Sequence, residues 1–155
     1  VRFWDVGTYD MPRGQSEIIA EGEGDVNWDS TAYNMVLVNE TNSFLDDHFA
    51  TRPDDPFFAY VALGSAHIPH SPPDSYLDGE KVAGETPTNF LDMLKEMDLV
   101  VGSLVQSIEE RGIAEDTIII FTSDNGGLPN RHTDSEPLGH TTGGPLRGYK
   151  GSVFE

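Results

Sequence analysis

The sequence contains no cysteine and few basic residues, and both shortages exclude classes of protein. Without cysteine, these residues form no disulfide and perform no thiol chemistry. Only 9 lysine and arginine residues stand against 27 aspartate and glutamate residues, a formal net charge of −18. Such a chain lacks the cations that bind nucleic-acid phosphates or an anionic membrane surface, so we expect neither partner. No apolar run has the length of a membrane segment, and no signal peptide is seen.

Two stretches have the sequence features of helices. The first covers residues 31–48 and follows residues that can cap a helix. The second follows Thr86-Pro87, a cap and a first-turn proline, and ends near Gly112, a typical C-terminal glycine. Its apolar residues recur at alternating steps of four and three, which predicts one buried stripe: Phe90, Leu94, Met97, Val101, Leu104 and Ile108.

Two short apolar runs, residues 57–63 and 117–121, lack polar alternation and predict strands buried on both faces. The helix between them would be a crossover, and crossovers of this length join parallel strands. The predicted fold class is therefore α/β, with a mostly parallel sheet flanked by helices. Residues 1–30 are rich in glycine and acidic residues and are predicted to be surface loop.

Open α/β sheets bind ligands beyond the carboxyl ends of their strands, which directs attention to the loops after residues 63 and 121. In the second loop, Asp124-Asn125 followed by glycine is either a turn or a pair of oxygen ligands for Ca²⁺ or Mg²⁺. In the first loop, His67 is either a hydrogen-bonding loop residue or a group that exchanges a proton at a site.

One dense basic stretch, which contains Arg147 and Lys150, lies near the end of the sequence. In so acidic a chain it is the place where an anion would be held, and the alternative is an ordinary loop whose cations offset acidic neighbours. Spacing assigns no role to the three histidines His70, His132 and His140.

Taken together and in this order, three motifs resemble the sulfatase family of the alkaline phosphatase superfamily. They are PFFAYVALGSAHIP at residues 56–69, TIIIFTSDNG at 117–126 and PLRGYKGSVFE at 145–155. The resemblance covers residues 31–155 and leaves residues 1–30 unassigned. It implies that residues 1–155 are a partial sulfatase catalytic domain, with the family's α/β fold in incomplete form.

The resemblance also implies a divalent cation, Ca²⁺ with Mg²⁺ as the alternative, and a sulfated substrate. By motif position, Asp124 and Asn125 correspond to metal ligands, His67 to the histidine that contacts the sulfate, and Lys150 to the lysine that neutralises it. These four residues are expected to converge at one rim of the sheet. The expected partner is a small-molecule sulfate ester or a sulfated glycan, in a secreted, lysosomal or periplasmic location.

The sequence departs from the family's pattern where the nucleophile is expected. The family makes a formylglycine nucleophile from Cys or Ser in a Cys/Ser-x-Pro-x-Arg motif, and this sequence has no such motif. The family's N-terminal metal-binding aspartate pair and its second lysine–histidine pair are also missing. We therefore expect an internal fragment of a sulfuric ester hydrolase that is inactive alone. Two alternatives stay open: a phosphonate or phosphate monoester hydrolase of the same superfamily, and a non-catalytic Ca²⁺-binding module.

Overall fold

The computed structural model describes residues 5–10, 15–21, 29–129 and 132–153. The chain divides into two compact units, of which the first is Val1–Ser30. This unit contains an antiparallel hairpin of strands β1 (Asp5–Asp10) and β2 (Gln15–Glu21), in a segment for which the sequence predicted surface loop. The register shifts within the hairpin at a β-bulge, where one strand has an extra residue.

The second unit, Thr31–Glu155, contains both long helices. Helix α1 (Tyr33–Thr51) confirms the helix predicted over residues 31–48. Its N-cap residue Ala32 makes no side-chain capping bond, so the helix depends on packing of its buried residues, which recur at helical spacing. These residues are Asn34, Val38, Leu45 and His48.

Helix α2 (Asn89–Glu110) confirms the second predicted helix. Thr88 caps it, because its hydroxyl oxygen accepts a hydrogen bond from the Leu91 amide at 3.3 Å. At the other end Gly112 adopts a positive φ of 68°, the backbone conformation for which a C-terminal glycine was predicted. Within the described part of the chain, no helix is long and apolar enough to cross a bilayer.

The buried face of α2 is rotated from the predicted stripe. Phe90 and Ile108 are buried as predicted. The other buried positions of the helix are not those of the predicted stripe, and three of them are polar: Asp92, Glu96 and Ser107, together with the apolar Met93 and Val100. This face contacts α1 and the loop between residues 73 and 86, and the stripe toward the expected sheet stays partly exposed. Asp92 tolerates burial because its two oxygens accept hydrogen bonds from the amides of Gly84 and Thr86, at 2.7 and 2.8 Å.

A cluster of buried apolar side chains joins the two helices to the loop between them. Val38 of α1 and Val100 of α2 enclose Tyr76 and Val82, and Leu63 packs against this cluster from the edge. The Tyr76 hydroxyl satisfies its polar end by donating to Ser103 Oγ at 2.8 Å. The core therefore holds residue 63, the last of the first apolar run, against both helices.

The predicted α/β fold with a mostly parallel sheet flanked by helices is wrong for the described residues. The only paired strands there are those of the antiparallel hairpin, together with an isolated bridge between Ser75 and Lys81. The runs 57–63 and 117–121 form no strand ladder, and much of their apolar surface is exposed, with Phe58 86% and Ile118 89% exposed, whereas Phe57, Val61 and Leu63 are half-buried. The physical reason is that a strand needs a neighbour to accept and donate its backbone hydrogen bonds, and neither run has one in the described part of the chain.

Candidate functional site

The turn that carries His67 is held by side chains from α1. The Tyr33 hydroxyl donates to the carbonyl of Ala62 at 3.2 Å, and the Gly64 amide donates to Asn34 Oδ1 at 2.9 Å. The His67 amide in turn donates to the Gly64 carbonyl at 3.0 Å. This chain of bonds fixes the backbone from residue 62 to residue 67.

His67 itself lies exposed at the end of this turn. Its Nδ1 is 2.6 Å from the carbonyl oxygen of Ile68, and since a carbonyl can only accept, Nδ1 carries the proton. In the singly protonated ring Nε2 is therefore the atom with the lone pair, and in the imidazolium it is a second donor. Either form allows Nε2 to exchange a proton with, or donate to, an oxygen atom in front of the turn.

Glu96 of α2 reaches the same turn from the other side, a residue that the sequence did not single out. It is only 2% exposed, and its Oε2 accepts a hydrogen bond from Ser65 Oγ at 3.0 Å. Ser65 Oγ also accepts from Asn34 Nδ2 at 2.7 Å. Burial raises the pKa of the Glu96 carboxyl, and the hydrogen bonds from Ser65 and Asn34 oppose that rise.

The loop of Asp124 and Asn125 contains oxygen atoms suited to a hard cation. Asp124 is exposed, and Asn125 Nδ2 donates to the Gly126 carbonyl at 3.0 Å. Because the amide nitrogen makes this hydrogen bond, Asn125 Oδ1 is the atom of this side chain that is suited to a cation. Ser123 braces the loop by donating from Oγ to the Asn125 carbonyl at 2.7 Å. This donor set fits Ca²⁺ or Mg²⁺ as part of a coordination shell.

Lys150 is brought to this loop by the backbone. Its amide donates to the Gly127 carbonyl at 2.8 Å, and Thr142 Oγ1 hydrogen-bonds to the Leu128 carbonyl nearby. Gly127 allows the contact, because a Cβ atom at this position would lie 2.7 Å from the Cβ of Thr142. The segment from residue 142 to residue 150 is therefore packed against the loop after residue 121.

Three of the four predicted site residues thus share one packed region. Asp124, Asn125 and Lys150 lie on segments joined through Gly127, whereas His67 lies on its own turn and makes no hydrogen bond or ion pair to them among the described residues. The described residues also contain no group of three or more histidine, aspartate or glutamate side chains placed to hold a metal. Convergence of all four residues stays a prediction.

A cavity of about 410 Å³ is lined in part by His70, which follows His67 by three residues. His70 forms one wall, and the centre of its ring lies 5.3 Å from the centre of the Phe90 ring. The ring of His140 lies 5.8 Å from that of Phe90. Burial lowers the pKa of His70, with Asp134 opposing the fall and His67 adding to it. The cavity is lined by residues from the His70 loop, the start of α2 and the segment near residue 133: His70, Pro87, Thr88, Asn89, Phe90, Thr133 and Asp134.

The comparisons with known proteins agree on one family. The family model described as Sulfatase matches residues 4–153. Arylsulfatase A of Homo sapiens is 36% identical over 106 residues, which are 68% of this chain and 20% of that protein. N-acetylgalactosamine-6-O-sulfatase of Bacteroides thetaiotaomicron is 27% identical over 124 residues, 77% of this chain and 22% of that protein. Arylsulfatase J of Mus musculus is 31% identical over 107 residues, 66% of this chain and 16% of that protein. The chain therefore spans about a fifth of the length of these relatives.

Proposed function

Because the chain belongs to the sulfatase family, we propose that the protein hydrolyses sulfate esters and that His67, Asp124, Asn125 and Lys150 form part of its site. The observation that carries this assignment is the hydrogen bond from the Lys150 amide to the Gly127 carbonyl. It joins the one dense basic motif to the loop of Asp124 and Asn125, the two proposed oxygen ligands. A sulfate group needs both cations and a shaped polar site, and this region supplies candidates for each.

Asp124 and Asn125 would hold the divalent cation, Ca²⁺ with Mg²⁺ as the alternative. When bound, the cation would offset negative charge on the sulfate oxygens. Two protein oxygens are too few for a Ca²⁺ shell of about six to eight ligands, so the proposal requires further ligands from outside these two residues. Formylglycine has no precursor in this sequence, which contains neither cysteine nor a Ser-x-Pro-x-Arg motif, and no step is assigned to it.

Lys150 and His67 are proposed to act on the charge that the reaction creates. Cleavage of the sulfur–oxygen bond leaves negative charge on the departing alcohol oxygen, and donors aimed at that oxygen stabilise the transition state. The Lys150 ammonium is a compact charge for this purpose, and His67 Nε2 is able to hold or pass a proton. The cavity lined by His70 is large enough for the organic part of a small sulfate ester or a sulfated sugar.

The test is an assay of the protein expressed from its complete reading frame, with 4-nitrophenyl sulfate and 4-nitrophenyl phosphate as paired esters. We expect the sulfate to be preferred, and Lys150→Ala to lower kcat by about 10²–10³. Lys81→Ala is the matched control, because Lys81 is an exposed lysine whose ammonium pairs with Glu85 at 3.2 Å, outside the segments that carry the proposed site. It should leave kcat unchanged.

Each other outcome selects a different function. Preference for the phosphate ester would favour a phosphate or phosphonate monoester hydrolase. Binding of Ca²⁺ in calorimetry with no turnover of either ester would favour the non-catalytic module. Asp124→Ala should weaken Ca²⁺ binding, and an unchanged affinity would remove Asp124 from the metal site.

A further inference from the structure

The turn before His67 is held from two helices at once, and one of its supports is a buried carboxyl group. Asn34 of α1 binds the turn twice, through the Gly64 amide at 2.9 Å and Ser65 Oγ at 2.7 Å. Glu96 of α2 accepts a hydrogen bond from the Ser65 hydroxyl at 3.0 Å. A hydroxyl has a single hydrogen to donate, so the positions of Asn34 and Glu96 together orient Ser65.

The carboxyl group at position 96 is not explained by helix packing. Neighbouring positions on the buried face of α2 hold apolar side chains such as Met93 and Val100, which bury without a desolvation penalty. The hydrogen-bond partners of Glu96 are Ser65, which lies in the turn, and Asn34, which holds the turn from α1. No ion pair involves Glu96 in the described part of the chain. The carboxyl group of Glu96 therefore holds the side chain of Ser65, which lies two residues before His67.

We propose that Glu96 is a positioning residue, which acts through Ser65 to hold the His67 turn in the geometry that presents Nε2 to the substrate. This proposal rests on the proposed function, because the position of His67 affects activity only if His67 contacts the sulfate. Glutamine at position 96 keeps an oxygen that accepts from Ser65, and alanine keeps none. The two substitutions therefore separate the hydrogen bond from the charge.

The test uses hydrogen–deuterium exchange on the protein from its complete reading frame, followed in peptides that span residues 62–70. The reporter is the His67 amide, which donates to the Gly64 carbonyl. Glu96→Ala should raise exchange in these peptides about tenfold, the scale of one lost hydrogen bond to a buried group. Glu96→Gln should stay within about twofold of the parent protein. Glu109→Ala, an exposed glutamate on the same helix, is the matched control and should also leave exchange unchanged.

A kinetic measurement separates positioning from general stability. With 4-nitrophenyl sulfate, Glu96→Ala should lower kcat about tenfold with KM within about twofold, and Glu96→Gln should restore kcat. If alanine at position 96 prevents folding, Ser65→Ala removes the same hydrogen bond from the other partner and should produce the same local exchange and the same loss of kcat.

Two results would overturn the proposal. One is that the alanine and glutamine variants at position 96 show the same exchange in residues 62–70 and the same kcat. The other is a rise in exchange that extends through α1 and α2 as much as through the turn, which would make Glu96 a general packing residue. Failure of the proposed function is a separate outcome: the parent protein would then hydrolyse no sulfate ester, while the exchange data would still decide whether Glu96 holds the turn.

Discussion

Replacement of Gly64 by alanine measures how tightly the turn before His67 is packed. A Cβ atom at position 64 would lie 2.9 Å from Cδ1 and 3.1 Å from Cε1 of the Tyr33 ring. Optimal carbon–carbon separations are about 3.5–4.0 Å. The ring is restrained because its hydroxyl donates to the Ala62 carbonyl at 3.2 Å. Overpacking of this kind costs about 1–3 kcal/mol, and we expect Gly64→Ala to lower the free energy of unfolding by that amount.

Gly102→Ala is the matched control, with the opposite sign expected. Gly102 lies within α2, and a Cβ atom there would meet nothing within 4 Å. Alanine in a helix interior is more stable than glycine by about 0.5–1 kcal/mol, so this variant should be stabilised. Urea unfolding followed by circular dichroism on the complete protein gives both free energies.

A double-mutant cycle identifies the source of the Gly64 penalty. If the Tyr33 ring is responsible, Gly64→Ala should cost almost nothing in a Tyr33→Ala background, a coupling energy of about 1–3 kcal/mol. A Gly64→Ala protein as stable as its parent, or a penalty that is the same with and without the ring, would refute the packing described for this turn.

Two further predictions concern the other parts of the site. Gly127→Ala should lower the free energy of unfolding by about 3 kcal/mol or more in the same urea titration. Its Cβ would lie 2.8 Å from the Thr142 carbonyl oxygen, a backbone atom that cannot rotate away. The loss should exceed that of Gly64→Ala, and a smaller loss would contradict the packing described for Gly127. For Glu96, burial raises the pKa above its ordinary value of 4.5, so its contribution to stability is full below pH 4.5 and is lost as pH rises through the folded-state pKa. The stability of Glu96→Gln relative to the parent should therefore increase between pH 4 and pH 7 in urea titrations, and a difference independent of pH would show that Glu96 does not titrate in this way.

The helices illustrate what periodicity alone predicts. The apolar spacing within residues 90–108 and the glycine at position 112 were sufficient to predict α2, because both signals are local to the chain. The face that the helix buries was predicted only in part. Burial depends on which elements lie against the helix, and the sheet expected at its predicted stripe is absent from the described residues.

The candidate site shows the same division. His67, Asp124, Asn125 and Lys150 were selected from motifs, and three of them lie on segments that pack together through Gly127. Glu96 had no signal in the sequence, because an acidic residue in an amphipathic helix is usually on its solvated face.

The His67 turn shows which features of the site are encoded locally in the sequence and which depend on the tertiary structure. The sequence by itself determined the family, the two helices and the residue types suited to sulfate and a cation, because each is encoded in short contiguous motifs. Only the tertiary structure decided that Asn34 and Glu96, 62 positions apart along the chain and on different helices, meet at Ser65. The physical reason is that a buried polar group needs a hydrogen-bond partner that is close in three dimensions. Such a partner has no fixed spacing along the sequence, so periodicity does not reveal it.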